Sequence, residues 1–384
     1  MNDTSPGSLA LRFFPGGERE SRLFRRAVED DISGAVMSSQ YRLYYRIRRL
    51  VPVRLRRLLQ RQHDSAVTGD WYIPNRIGEI LADAFGGSAE IAPILHPWPH
   101  GKSFALVLTH DVEEAEGLRR VSKLADLEEE MGFRSCWNIV PHRYPVDHGL
   151  LRDLRARGFE IGVHGYNHDG KLFLSHKTFH NRVEAIHRAL AEFQAVGFRA
   201  PMVHRNLHWM QALDVEYDAS CFDVDPLQAM PGGVQQVWPF IAGRFVELPY
   251  TLPQDHSLFY PCRAKDDSIW RNKLTLLRRL HGMALMLTHP DYLDSAKRLA
   301  IYRNFLEQVK DTGGFWHALP RDVARWWRRR DESDVEWNGE YASVHGPAAE
   351  EATIVRPRLD GNALLFEEVA AGVKDAPLGG ASRM

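Results

Sequence analysis

Apolar runs alternate with amphipathic stretches between about residues 101 and 330. The apolar runs predict strands at 103–109, 135–140, 159–163, 196–200, 217–221, 244–248 and 283–288. The amphipathic stretches predict helices at 114–131, 147–157, 177–195, 205–213, 268–281, 296–311 and 320–329. Several of the strands are apolar throughout, which is typical of a parallel sheet covered on both faces. The pattern therefore predicts an α/β fold, either open-wound or closed into a barrel.

Two regions of different character flank this central part. Residues 1–100 contain an Arg-rich segment and a connector that ends in several prolines. Residues 331–384 contain Asn338-Gly339 and Asp360-Gly361 beside short alternating stretches, which predict one or two hairpins. We therefore expect three parts: the N-terminal segment 1–100, a main domain over 101–330 and a C-terminal tail over 331–384.

The segment 41–62 carries eight arginines and no acidic residue, interleaved with aromatic and aliphatic side chains. Such a pattern predicts amphipathic helical pieces, interrupted near Pro52. One interpretation is contact with an anionic membrane surface, and removal of the segment would then release the protein from anionic vesicles. The alternative is a helix that packs its apolar stripe on the main domain. No nucleic-acid-binding motif accompanies the segment, so a nucleic-acid partner is not expected.

Composition and charge add little about the fold or the function. The net charge of the 384 residues is −1, and the three cysteines lack the spacing of metal ligands or of a disulfide framework. Residues 1–10 lack the features of a secretory signal, and no apolar run reaches the roughly 18 residues of a spanning helix. From these features we expect a cytoplasmic protein, with peripheral contact to the inner membrane face through 41–62.

Polar residues gather at the ends of the predicted strands. They are Asp111, Glu113, His164, His168, Arg199, Glu247 and His289. In parallel α/β folds the active site lies at the carboxyl ends of the strands, so these side chains are expected to meet. Their types suit a metal site with a proton-transferring group beside it.

Asp111 and Glu113 are two residues apart and can face the same pocket if the strand continues through them. One carboxylate could then bind a metal while the other accepts a proton, and the spacing leaves open which does which. The alternative is that one of them is an acid at the start of helix 114–131.

His164 and His168 form an H-x-x-x-H motif directly after a strand, which lets one loop supply two metal ligands. A second copy, His176 to His180, follows no strand and is predicted to lie on the surface. His289 ends an apolar strand and is a candidate general acid, although a lone histidine at a strand end is often structural.

Taken in order, these motifs resemble those of the polysaccharide deacetylase family, also called the NodB-homology or carbohydrate esterase family 4. The corresponding stretches are Thr109–Glu113, His164–His168, Arg199–Pro201, Tyr217–Ser220 and Leu287–His289. The resemblance covers roughly residues 101–330. It implies a distorted (β/α)7 barrel and one divalent metal, expected to be Zn²⁺, held by one acid and two histidines.

The resemblance also implies roles for individual residues. The metal would lie on Glu113, His164 and His168. Asp111 would be the catalytic base, Arg199 would orient it, and His289 would be the acid. The expected substrate-binding residues are Pro201, Gln254, Asp255 and His256, and Asp218 or Asp225 would hold His289 in its protonated form. Where the family usually has two adjacent aspartates, this chain has Asp111 and Glu113 separated by a valine.

The function expected from these features is metal-dependent removal of an N-acyl group, most simply N-acetyl, from an amino sugar in cell-surface polysaccharide synthesis. The substrate would be a nucleotide-linked or lipid-linked amino sugar. Two alternatives remain open: another amidohydrolase or a glycosidase on the same fold, and a non-catalytic sugar-binding scaffold.

Overall fold

The structure is a computed structural model, and it describes residues 9–12, 21–34, 69–85, 92–228, 232–339, 341–360 and 363–369. The Arg-rich segment 41–62, for which membrane contact was considered, lies outside these ranges. Within them, no helix is both long enough and apolar enough to cross a bilayer.

The strands run in both the main domain and its flanks. In chain order they are β1 (Leu11–Arg12), β2 (Ile94–Leu95), β3 (Phe104–Val112), β4 (Ser135–Ile139), β5 (Glu160–His164), β6 (Gly197–Arg199), β7 (Tyr217–Asp218), β8 (Phe240–Ala242), β9 (Phe245–Glu247), β10 (Met283–Thr288), β11 (Phe315–His317), β12 (Asp334–Trp337), β13 (Ala342–His345), β14 (Ile354–Asp360) and β15 (Ala363–Glu368). All nine residues of β3 and all six of β10 are buried, as expected for strands covered on both faces.

Seven parallel strands form the centre of the molecule. Their order is β10-β3-β4-β5-β6-β7-β9, and every adjacent pair is parallel. After β9, Leu252 forms a parallel bridge with Met286 of β10 and donates its backbone N–H to the carbonyl of Leu285 at 3.1 Å. This bridge brings the two edges of the sheet together. The fold is therefore the distorted seven-stranded α/β barrel expected from the sequence.

Helices follow most of the barrel strands. In chain order they are α1 (Arg22–Gly34), α2 (Ile77–Phe85), α3 (Ala115–Glu130), α4 (His148–Ala156), α5 (His176–Phe193), α6 (Leu207–Met210), α7 (Asp255–Phe259), α8 (Ser268–Arg279), α9 (Ala296–Thr312) and α10 (Pro320–Asp331). Several begin at a side chain that caps free backbone N–H groups. Asp147 caps α4, Ser175 caps α5 and Ser295 caps α9.

All seven predicted strands lie in the barrel, most within two residues of the predicted ends. The helix predicted at 205–213 is only one turn long, α6, because the chain before it first makes a short 3-10 turn at Pro201–Val203. Four further strands, β1, β2, β8 and β11, were not predicted. Each has only two or three residues, too few to show a period of its own.

The flanking segments pack on the barrel. The C-terminal region forms the hairpins β12–β13 and β14–β15, and β14 also pairs with β2 from the segment before the barrel. At the N-terminal side β1 pairs with β8, and Asp31 of α1 forms a fully buried ion pair with Arg205. These contacts join the N-terminal side to the central sheet through β8 and the C-terminal hairpins to the segment before the barrel through β2.

Candidate active site

Glu113, His164 and His168 meet at the carboxyl ends of β3 and β5. One potential ligand atom from each lies within 4.8 Å of the corresponding atoms of the other two. Glu113 follows the last residue of β3, His164 is the last residue of β5, and His168 lies in the following loop in a left-handed backbone conformation, with φ of 55°. A carboxylate and two imidazoles at this spacing form a donor set that suits zinc and similar ions.

The orientation of the histidines fits a metal. The ring Nδ1 of His164 contacts the backbone carbonyl of Arg199 at 3.1 Å, which directs Nε2 into the site. The Nε2 atoms of His164 and His168 are both buried and make no hydrogen bond of good geometry with any residue that the structure describes. Such orphaned buried nitrogens are costly unless a ligand satisfies them. His168 Nε2 lies 2.8 Å from Glu113 Oε1, and Glu113 is still partly exposed to the pocket.

Asp111 is the second carboxylate of this strand end, and its two oxygens differ. Oδ1 accepts hydrogen bonds from Asn138 Nδ2 at 2.8 Å and from Arg199 NH1 at 2.9 Å. Oδ2 accepts no hydrogen bond from the described residues and lies 3.7 Å from His164 Nε2. Burial opposes ionisation, but the charges of Arg199 and the nearby histidines outweigh it and lower the pKa of Asp111. Asp111 is therefore an ionised carboxylate with one oxygen facing the site.

Asn138 was not among the predicted site residues. It lies on β4 directly beside Asp111 on β3, with Gly162 beside it on β5. A Cβ on Gly162 would overlap Asn138 Oδ1, so the glycine leaves room for the amide. One sequence signal was present, because Asn138 is a lone amide in an otherwise buried strand.

Arg199 is buried among the polar residues of this strand end. It donates to Asp111 and also to the hydroxyl of Thr109 at 2.8 Å and the carbonyl of Ala219 at 2.8 Å. These bonds fix the guanidinium plane toward Asp111, which is the position that the sequence predicted for an orienting arginine. Its role remains a prediction.

Two other acids at strand ends do not reach the site. Asp218 accepts hydrogen bonds from the backbone N–H and the hydroxyl of Ser220. Glu247 accepts a hydrogen bond from the backbone N–H of Cys221 at 2.8 Å. Burial raises the pKa of both carboxyls, and their mutual repulsion adds to this for Glu247. Asp225, the other suggested partner of His289, instead accepts hydrogen bonds from Tyr250 and Ser257.

His289 pairs with Asp255 rather than with either of those aspartates. The ring Nδ1 of His289 contacts Asp255 Oδ1 at 2.7 Å, and its backbone N–H donates to Asp255 Oδ2 at 2.7 Å. On the other side of the ring, Nε2 lies 3.5 Å from Glu113 Oε1, so it faces the candidate metal site. Burial opposes the charged imidazolium, but Asp255 and then Glu113 raise its pKa well above the ordinary value.

The four predicted substrate-binding residues take different positions. Asp255 is fully buried with both of its oxygens in contact with His289, and its role as a substrate contact stays a prediction. Gln254 is mostly buried just before α7, and Pro201 packs directly on Gly165 of the histidine loop. His256 is half-buried beside the site and remains a predicted contact.

The histidines of the second H-x-x-x-H copy, His176 and His180, are exposed on the first turns of α5, as predicted. Their rings stack at 6.1 Å outside the site.

No family model matches the sequence, and no curated protein matches it. Solved structures do match. A protein assigned as a polysaccharide deacetylase from Mycobacterium smegmatis is 22% identical, covers 63% of this chain and 94% of its own, and has a TM-score of 0.49. Puue Allantoinase is 18% identical over 64% of this chain and 96% of its own, with a TM-score of 0.49. A protein assigned as a polysaccharide deacetylase from Pseudomonas aeruginosa PAO1 is 18% identical over 62% and 95%, with a TM-score of 0.46.

Other matching structures bear the names of family 4 carbohydrate esterases and peptidoglycan deacetylases.

Proposed function

We propose that this protein is a metal-dependent hydrolase that removes an N-acyl group, most simply N-acetyl, from an amino sugar. One observation carries the proposal: an acid and two histidines meet within 4.8 Å, with a fixed ionised carboxylate on one side and a carboxylate-bound histidine on the other. Amide hydrolysis needs a proton acceptor and a proton donor beside an electrophilic centre.

Glu113, His164 and His168 would hold the divalent ion. When bound, such an ion polarises the amide carbonyl and lowers the pKa of a neighbouring water. Zn²⁺ fits this nitrogen and oxygen donor set. The buried histidine nitrogens described above support a metal at this place.

Asp111 serves as the base in this proposal. Asn138 and Arg199 occupy Oδ1, which leaves Oδ2 to accept the proton of the attacking water. The water oxygen forms a bond to the carbonyl carbon. The free Oδ2 supports the role of base over that of metal ligand for Asp111, a choice that the sequence left open.

His289 serves as the acid. Asp255 holds Nδ1, so Nε2 is the atom that faces the site and delivers a proton. As the carbon–nitrogen bond breaks, Nε2 protonates the departing nitrogen, which would otherwise be a poor leaving group. The products are a free carboxylic acid and the amine of the sugar.

The experiment that tests the proposal measures metal content and acetate release on the same purified variants. We expect about one metal ion per chain in the wild type. His164→Ala and Glu113→Gln should lose the ion, whereas Asp111→Asn should keep it and lose activity. His180→Ala, in the exposed second histidine copy, is the matched control and should change neither.

Other results would point to the alternatives. Loss of the ion in Asp111→Asn would make that residue a ligand and move the base to Glu113. Cleavage that yields reducing sugar without acetate would indicate a glycosidase, and an amide substrate without a sugar would indicate another amidohydrolase. A wild type that takes up no ion even from zinc solution would support the sugar-binding scaffold.

The setting of the reaction is also part of the proposal. Action on a nucleotide-linked or lipid-linked precursor of a cell-surface polysaccharide, near the inner membrane face, is supported by the Arg-rich composition of 41–62.

A further inference from the structure

Three aromatic side chains form a continuous surface beside His289, which we call the aromatic shelf: Tyr292, His256 and Tyr260. The ring of Tyr292 lies 4.5 Å from that of His289, measured between centroids. Tyr260 lies 5.3 Å from both Tyr292 and His256, and these two are 5.8 Å apart. The shelf therefore begins at the proposed proton donor and leads outward to Tyr260.

The outer end of the shelf is exposed but fixed. Tyr260 is 44% exposed, and of the large apolar side chains in the described ranges only Tyr341 is exposed to a similar degree. Arg298 packs on the Tyr260 ring at 4.9 Å, donates to its hydroxyl at 3.4 Å and donates to the carbonyl of Tyr292 at 3.1 Å. An aromatic ring held in place while facing solvent beside a catalytic centre is typical of a ligand-binding surface.

We propose that the aromatic shelf binds a sugar ring on the amine side of the scissile amide. This inference rests on the proposed function and deepens it, because it assigns the substrate at least one ring that extends past the reacting unit. His289 would protonate the departing nitrogen, so the part of the substrate joined to that nitrogen lies on the His289 side. The next ring of that part would then meet Tyr292 and Tyr260.

The shape and charge of the shelf favour a saccharide. The planes of the three rings are inclined to one another by 32° to 73°, so they form a faceted surface and not a flat slot. A sugar chair can place several C–H groups on such facets, whereas a flat nucleobase can stack on only one. The cation at the shelf, Arg298, already pairs with Asp294 at 3.2 Å, which makes it a poor anchor for the phosphates of a nucleotide.

The test compares binding of three probes to the full-length protein by isothermal titration calorimetry. The probes are N-acetylglucosamine, its β-1,4-linked trimer and the uridine-diphosphate sugar. We expect the wild type to bind the trimer most tightly. Tyr260→Ala should weaken trimer binding about tenfold, the effect of losing one stacked aromatic contact. Tyr260→Phe keeps the ring and should retain most of the affinity.

Tyr341→Ala is the matched control, because Tyr341 is similarly exposed but lies directly before β13. It should leave trimer binding unchanged. The inference is overturned if Tyr260→Ala binds the trimer as the wild type does, or if the wild type binds the trimer no better than the monomer. A large loss for the nucleotide sugar alone would overturn it in favour of nucleobase stacking.

Trimer binding and acetate release are separate measurements, so failure of the shelf and failure of the proposed function are distinguishable. Weaker trimer binding in Tyr260→Ala, with no acetate released by the wild type, would keep the shelf and refute the deacetylase. Acetate release with trimer binding insensitive to Tyr260 would do the reverse.

Discussion

Asp255 contacts His289 through both of its carboxylate oxygens. Oδ1 contacts the ring Nδ1, and Oδ2 accepts a hydrogen bond from the backbone N–H of the same residue. This arrangement fixes both the ring orientation and the protonated Nδ1. It also raises the pKa of the imidazole, so Nε2 keeps its proton to higher pH than in a free histidine.

Replacement of Asp255 by asparagine should therefore change the pH dependence of activity. An amide cannot stabilise the imidazolium as a carboxylate does, so the pKa of His289 falls and the acid form is lost at lower pH. We expect kcat to fall about 10²-fold and the alkaline limb of kcat/KM to move to lower pH. The measurement is kcat/KM from pH 5 to pH 10 in wild type and variant.

The matched control for this prediction is Asp225→Asn. Asp225 is buried nearby, but it accepts hydrogen bonds from Tyr250 and Ser257 and not from His289. Its alkaline limb should coincide with that of the wild type. The same limb in Asp255→Asn and in the wild type would show that Asp255 does not set the proton affinity of His289.

Gly162 offers a second test, directed at the base. A methyl group at this position would overlap Asn138 Oδ1 and push the amide away from Asp111. Asp111 would then keep the hydrogen bond from Arg199 but lose the one from Asn138. We expect Gly162→Ala to lower kcat about tenfold while metal content stays the same, because a hydrogen bond to a charged group is worth roughly 1.5–3 kcal/mol.

A double-mutant cycle separates this effect from general damage to the sheet. In an Asn138→Ala background the overlap partner is absent, so adding Gly162→Ala should cost little more activity. Additive losses would mean that the glycine acts through something other than Asn138. Thermal midpoints of all four proteins show whether folding is disturbed.

The sequence predicted that several polar side chains of the candidate site would lie together, because each stands at or just after the end of a buried strand, and their roles stay predictions. Glu113, His164 and His289 are all reached by reading the ends of strands that are continuously buried. Parallel strands in one sheet bring their carboxyl ends to one edge, so strand order alone predicts the meeting of these side chains.

The partners of those residues were harder to predict. Asp255 is 34 residues before His289 in the chain and begins a five-residue helix, so no periodicity links the two. Asn138 lies inside a strand, not at its end. Such contacts depend on side-chain packing in three dimensions, which hydrophobic patterning does not encode.

The last prediction concerns acid stability and two histidines outside the candidate site, the buried His96 and the partly buried His281. His96 and His281 lie with their ring centroids 5.3 Å apart. Burial lowers the pKa of His96 to about 3 and that of His281 to about 4. Both are therefore neutral in the folded protein at pH values where an unfolded chain already protonates them, near pH 6.5 and below.

The folded state thus binds fewer protons than the unfolded state between about pH 6.5 and pH 4, and the free energy of unfolding must fall as the pH drops through this window. His281→Asn removes one such group, and asparagine tolerates the left-handed backbone at this position, where φ is 50°. The variant should lose less stability on acidification, by up to about 1.4 kcal/mol per pH unit.

Urea unfolding from pH 4 to pH 7.5 with a chelator present measures this slope without a contribution from metal release. His176→Asn, an exposed histidine, should follow the wild type, and an unchanged slope in His281→Asn would show that this partly buried ring is not kept neutral by folding.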